Sequence, residues 1–179
     1  GVITGKPLEL GGSKGRVKAT GWGVMVTTMK ALDKLGIDPK ACTCAVHGFG
    51  NVGSYGALLL AEQGVKIVAI ADHTGGFYNE NGIDVKAAME YATANKSLAG
   101  FTGGTPMAGQ DVLTLKVDIL APCAIENCIT LDNAHKIDCK VMVEGANGPV
   151  AADADQVLND KGIFVVPDIL ANSGGVTVS

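Results

Sequence analysis

Gly48, Gly50 and Gly53 stand in a short block, Gly48-Phe49-Gly50-Asn51-Val52-Gly53, between the apolar run "ACTCAVH" and a stretch rich in small residues. A second apolar run, "VKIVAIA", ends on Asp72, nineteen residues beyond Gly53, with His73 and Thr74 directly after it. The chemistry open to this set is the holding of phosphate and ribose. The first glycine permits a tight turn, the second lets the backbone approach a diphosphate, and the third lets a helix pack close to its strand. The helix N-terminus presents unpaired N–H groups and the positive end of its dipole to the phosphates. An acid about twenty residues further on is placed to accept ribose hydroxyls. Three glycines alone are weak evidence. Framed by strand, helix, strand and acid, they predict a dinucleotide site.

Asp72 favours NAD, because a 2′-phosphate would meet a like charge, and no arginine adjoins it to clamp one. His73 and Thr74 soften that preference, so NAD is expected and NADP admitted. No paired acid and base for work on a substrate stands out. Three later loops, "APCAIEN", "EGANGP" and "DILANSGG", carry amides instead. The carboxyl edge of a doubly wound sheet is where a cofactor lies. Cys123, Ala124 and Asn127 in the first loop, Asn147 in the second and Asn172 in the third are therefore candidate cofactor contacts, the asparagines for the nicotinamide carboxamide or its ribose. Any one asparagine could equally hold its own turn.

The elements that must position these residues alternate. Residues 1–19 read as an entry loop, and Thr20 as the N-cap of a helix reaching Leu35, with Met25, Met29, Leu32 and Leu35 on one face. Gly36 stops it. Strands follow in "ACTCAVHG", "VKIVAIAD", "VDILAPC", "KVMVEGANGP" and "IFVVPDIL", with helices over 51–63, "IDVKAAMEYATANK", "ITLDNAHKI" and "AADADQVLNDKG". "HTGGFYNENG" reads as turns and "FTGGTPMAGQDVLTLK" as irregular. Solid apolar strands alternating with helices predict an α/β fold: a doubly wound, mostly parallel, Rossmann-like sheet with helices on both faces. One dinucleotide-binding domain over 1–179 is expected.

Composition narrows the partners. The 179 residues are 47% hydrophobic, only 4% aromatic, and carry a net charge of −4, and Lys14, Arg16 and Lys18 cluster only locally. A nucleic-acid surface needs more cation and more stacking rings, so none is expected. No apolar run approaches the roughly eighteen residues that span a bilayer. The five cysteines show neither disulfide nor zinc spacing; Cys42 and Cys44 share one face of a strand and read as small buried hydrophobes in a reduced cytosol. His47, His73 and His135 form no ligand set with them, and no metal site is expected. A cytoplasmic protein follows. The start, "GVITGKP", and the end, "GGVTVS", read as cuts through a larger chain.

The blocks "TGKPLELGGSKGRVKATGWG", "GFGNVG", "APCAIEN", "EGANGP" and "PDILANSGGVTVS" together resemble the nucleotide-binding domain of glutamate dehydrogenases, in that family's order from Thr4 to Ser179. The resemblance implies reversible oxidative deamination of L-glutamate to 2-oxoglutarate and ammonia with NAD(P), in a homohexamer of two-domain subunits. It also implies that Arg16 and Thr20 lie at the interdomain cleft, Thr20 near the nicotinamide carboxamide, and that Asn147 and Asn172 contact the nicotinamide ribose region. Val176 and Ser179 would face the substrate side chain, Ser179 bonding its distal carboxylate. The family's catalytic lysine and aspartate belong to an amino-terminal substrate domain that these residues do not include, and the helix after "VTVS" is also missing. An inactive, cofactor-binding fragment is expected.

Two other readings share the glycines. A stand-alone nucleotide sensor would need the turn and Asp72 but has no use for "GGVTVS" or "GGSKGRVKATG". A flavin or methyl-donor site gives no account of the asparagine loops.

Overall fold

The computed structural model describes Pro7, Glu9 and residues 15–174, except the side chains of Arg16 and Val17. Helix α1 (Arg16–Leu35) begins after Gly15, whose left-handed backbone (φ 90°) serves as the cap. Thr20 therefore sits one turn inside the helix and is not its N-cap. A glycine cap needs no side-chain acceptor, so it leaves no serine or threonine signal at the start. Val24, Met25, Ala31 and Leu32 face the core and Met29 packs against it, whereas Leu35, beside the left-handed Gly36 that ends the helix, is exposed.

Strand β1 (Thr43–His47) leads through Gly48–Gly50 into α2 (Asn51–Glu62), and β2 (Lys66–Asp72) returns beside β1. The small residues of α2 let two backbones meet: a Cβ on Gly21 of α1 would lie 2.7 Å from Tyr55 Cβ and 2.8 Å from Gly56 N. The β1–β2 register slips after Cys44, leaving Val68 as a bulge, so Val68 and Ala69 pack on the same side of the sheet.

The stretch read as turns holds β3 (Gly75–Tyr78), antiparallel to β2 across a two-residue hairpin at His73–Thr74. After α3 (Val85–Asn95), the supposedly irregular stretch supplies β4 (Thr105–Met107), antiparallel to β3 with Pro106 opposite Phe77, and a 3-10 turn over Gly109–Thr114. The chain then crosses to the far side of β1, where β5 (Ile119–Pro122), β6 (Val141–Val143) and β7 (Phe164–Val166) add in parallel. Short helices α4 (Leu131–Ala134), α5 (Asp155–Asp160) and α6 (Asp168–Ala171) complete the described chain.

The sheet order is β4-β3-β2-β1-β5-β6-β7. Five strands are parallel as expected, and two more were hidden in glycine- and proline-rich sequence. One apolar layer joins Cys44, Val46, Ile70, Ile119 and Val141 to α1, α2 and α3; a second joins Ala45, Ala69, Leu120 and Met142 to the 3-10 turn, α4 and α5. Both faces are covered, as solid apolar strands require. At the end of the sheet away from the glycine turn, Asp118 Oδ2 accepts from Thr43 N (2.8 Å) and Thr43 Oγ1 (3.2 Å), while Asp118 Oδ1 pairs with Lys140 at 3.0 Å.

Candidate dinucleotide site

The strand order reverses between β1 and β5, and the carboxyl ends of β1, β2 and β5 open there on a cavity of about 780 Å³. Such a switch point is where open α/β sheets bind ligands. Gly48, Phe49, Gly50, Asp72, His73, Cys123 and Ala124 all line it.

The three glycines differ in what surrounds them. Gly48 (φ 107°) turns the chain away from β1, and a Cβ there would stand 2.5 Å from Ala124 N, so the turn also lets the segment after β5 approach. Gly53 fits α2 against β1: its Cβ would fall 1.7 Å from Gly48 O. Around Gly50 nothing lies within 4 Å of the Cβ position. Space for a group from outside is therefore kept at the second glycine, where a diphosphate would approach.

Asp72 makes three hydrogen bonds. Its Oδ1 accepts from Thr74 N (2.8 Å) and Thr74 Oγ1 (2.5 Å), which closes the hairpin, and its Oδ2 accepts from Leu98 N (2.7 Å) beyond α3. Partial burial pushes this carboxyl up, but the bonds from Thr74 and Leu98, with His73 alongside, outweigh it and hold it below the usual carboxylate range. An ionised carboxylate has about four acceptor directions, so one remains open, on Oδ2.

The cavity also draws in residues that sequence reading did not single out. Lys96, left-handed at φ 64°, caps α3 and lines it with Ser97; Met107–Gln110 enter from the end of β4 onward, and His47 from the end of β1. Gly and Asn are the usual left-handed caps, so a lysine gives no signal for this position. Asn51 lies in an adjoining cavity of about 210 Å³, shared with Phe49 and Gly50.

The remaining candidates gather further along the edge. Val52 and Cys123 flank Gly145, whose Cβ position is 3.3 Å from Val52 Cγ1 and 2.5 Å from Cys123 Sγ. The Asn127 backbone, left-handed at φ 52°, donates to Gly148 O at 2.8 Å. Asn172 Nδ2 donates to Asn147 Oδ1 at 2.7 Å, and Gly148 N donates to Asp168 Oδ2 at 2.8 Å, tying the loop after β6 to α6. Thr20 comes close by: the Cβ position of Gly174 lies 3.5 Å from Thr20 N. Arg16 opens α1, with its side chain outside the description, and Val176 and Ser179 lie outside the described residues.

Glu144, at the end of β6, is buried, with 9% exposure. Burial, aided by the charges of Asp168 and Asp155, raises its carboxyl from the usual 4.5 to about 7. Burial likewise pushes the thiols of Cys123 and Cys139 up to about 12 and that of Cys128 to about 11, so they pack as neutral groups. Among the described residues no cluster of His, Cys, Asp or Glu is arranged for a metal, and no helix is long and apolar enough to cross a membrane.

The family model for Glutamate/Leucine/Phenylalanine/Valine dehydrogenase matches residues 11–179. The glutamate dehydrogenase of Thermotoga maritima is 52% identical over all of this chain and 43% of its own length. The NADP-specific glutamate dehydrogenase A1 of Halobacterium salinarum is 49% identical over the same shares. Among solved structures, the hetero-hexameric glutamate dehydrogenase of Thermus thermophilus superposes with a TM-score of 0.92 at 34% identity, covering all of this chain and 42% of that one. The chain thus spans less than half the length of the relatives it matches.

Proposed function

The chain belongs to the glutamate/leucine/phenylalanine/valine dehydrogenase family, and we propose that residues 1–179 form the nucleotide-binding domain of a glutamate dehydrogenase. The observation that carries this reading is the open space at Gly50, set between the glycine turn and Asp72 in the switch-point cavity. The residues present fit a dinucleotide. The N–H groups at the start of α2 face a diphosphate, Gly50 leaves room for it, and Asp72 keeps one acceptor direction for a ribose hydroxyl. Cys123, Ala124, Asn127, Asn147 and Asn172 line the path toward the nicotinamide end, with Thr20 beside them.

Bound there, NAD(P) supplies a two-electron acceptor for the oxidation of L-glutamate to 2-oxoglutarate and ammonia. The chain's own part is to hold and orient. The sheet edge fixes the glycine turn, and the Asn147–Asn172 bond fixes the far loop. Acid–base work on the substrate is assigned to residues outside this chain, and assembly to a hexamer of the whole protein.

Asp72 supports NAD as the preferred cofactor. A second reading, NADP, is favoured by Lys96, a cation at the rim of the same cavity as Asp72, His73 and Thr74. Calorimetric titration of the chain with NAD and NADP tests both. Tighter NAD binding supports the Asp72 reading, tighter NADP binding makes Lys96 the deciding group, and binding of neither overturns the dinucleotide site.

A further inference from the structure

Two glycines hold α1 and α6 closer than a side chain at either position would allow. A Cβ on Gly23, in the second turn of α1, would stand 2.6 Å from Ala171 O at the end of α6. A Cβ on Gly174, just past α6, would stand 2.1 Å from Ala19 O of α1. The contacts are reciprocal: each segment presents one glycine to a backbone carbonyl of the other. Ala19 and Gly23 lie about one helical turn apart on α1, so the two contacts bracket a short length of both segments. Ala19 and Ala171 are both buried.

Between the brackets lie residues placed above at the nicotinamide end. Thr20 follows Ala19 on α1, its backbone N 3.5 Å from the Cβ position of Gly174, and Asn172 follows Ala171 on the opposing segment. Asn172 is tied in turn to Asn147 through its amide. The asparagines are thus joined by a hydrogen bond, and Thr20 reaches them through the close passage of two backbones. A methyl group at either glycine meets a carbonyl oxygen of the main chain, which cannot swing aside as a side-chain end can, so α1 and α6 would have to part. A misplacement of about 1 Å in a positioning element costs on the order of a hundredfold in function.

We infer that Gly23 and Gly174 are positioning residues that set the distance between Thr20 and the Asn147–Asn172 pair, and through them shape the nicotinamide end of the cofactor site. This rests on the dinucleotide reading proposed above. The glycine turn at the other end is packed independently: Gly48 meets the backbone of Cys123 and Ala124, and Gly53 meets Gly48 and Val46. Separate pairs of glycines therefore fix the two halves of the site, and a change at one pair can be read apart from the other.

Titrate the unaltered chain, Gly23→Ala and Gly174→Ala with NADH and with ADP, which lacks both nicotinamide and its ribose. In each variant the affinity for NADH is expected to fall about tenfold while that for ADP stays within about twofold of the parent. A purely structural role lowers the melting temperature and leaves the ratio of the two affinities unchanged. That result, or an equal loss of both ligands, overturns the inference while the dinucleotide site stands. An unaltered chain that binds NADH no more tightly than ADP also overturns the inference alone, and one that binds neither overturns the site with it. Hydrogen exchange of the unaltered chain gives a readout independent of folding in the variants. Amides of residues 19–24 and 171–174 are expected to slow together on addition of NADH and to be unmoved by ADP. Slowing of one segment only, of neither, or of both with ADP alike overturns the inference.

Discussion

The side-chain amide of Asn172 donates to the side-chain oxygen of Asn147 at 2.7 Å, joining residues 25 apart in sequence. The loop after β6 and the end of α6 thereby become one structure, reinforced by the bond from Gly148 N to Asp168 Oδ2. Neither asparagine serves its own turn; each serves the other's.

Removing that link separates the two ends of the cofactor. Asn147→Ala is expected to weaken NADH about fivefold and to leave ADP, which lacks both nicotinamide and its ribose, unchanged. Parallel calorimetric titrations check this, and equal losses for both ligands would remove Asn147 from the nicotinamide end.

Gly50 and Gly53 should fail in opposite ways. Gly50→Val has room for its side chain in the free protein, so its melting temperature is expected within a few degrees of the parent, with NADH binding lost. Gly53→Ala drives a methyl into Gly48 O, a backbone atom, and should cost roughly 3 kcal/mol of stability. Thermal melts with and without NADH distinguish the two.

Much of this site was legible in the sequence, and the reason lies in particular residues. Ile67–Ala71 and Cys44–Val46 are unbroken apolar runs, as strands buried on both faces require, and the glycines between them fix the turn. Gly75–Tyr78 and Thr105–Met107 carry too little apolar patterning for a strand signal; the hairpin at His73–Thr74 delivers the first to β2, and the second then pairs with the first. Lys96 and Met107–Gln110 reach the cavity only through that hairpin and through α3. Glu144 was unreadable for another cause: its burial comes from neighbours distant in sequence, and an acid in "VMVEG" carries no mark of it.

Glu144 makes stability depend on pH near neutrality. Its carboxyl titrates at about 7 in the fold against 4.5 ordinarily. Below 4.5 it is protonated in both states and costs nothing. As pH rises from there to about 7, the unfolded chain releases the proton first, so stability falls, and above 7 the full penalty is present. Glu144→Gln should gain roughly 2 kcal/mol over the parent at pH 8 and almost nothing at pH 4, measured by urea unfolding.

Asp72 joins structure and recognition. Asp72→Ala removes the acceptor for Thr74 and Leu98 as well as for ribose, so a loss of about 1–2 kcal/mol in stability is expected beside weaker cofactor binding. NAD should lose more affinity than NADP, because the alanine also removes the like charge that a 2′-phosphate meets. Equal losses in the two titrations would take the ribose from Asp72.

Asp118 provides the contrasting case at the opposite end of the strands. Asp118→Ala leaves Thr43 N without its partner and should cost about 1–3 kcal/mol, with NADH affinity unchanged. Urea unfolding together with titration checks both halves.

The outermost strand β4 is three residues long, and Pro106 at its centre has no N–H to offer. At the other margin β7 is equally short. An exposed strand edge is a template on which a neighbouring chain can add itself, the first step toward fibrous assembly. Here, among the described residues, one margin is broken by an imino acid and the other is only three residues long, so neither offers much of a ladder to a neighbour. A core made of apolar strands is thereby kept from becoming a seed.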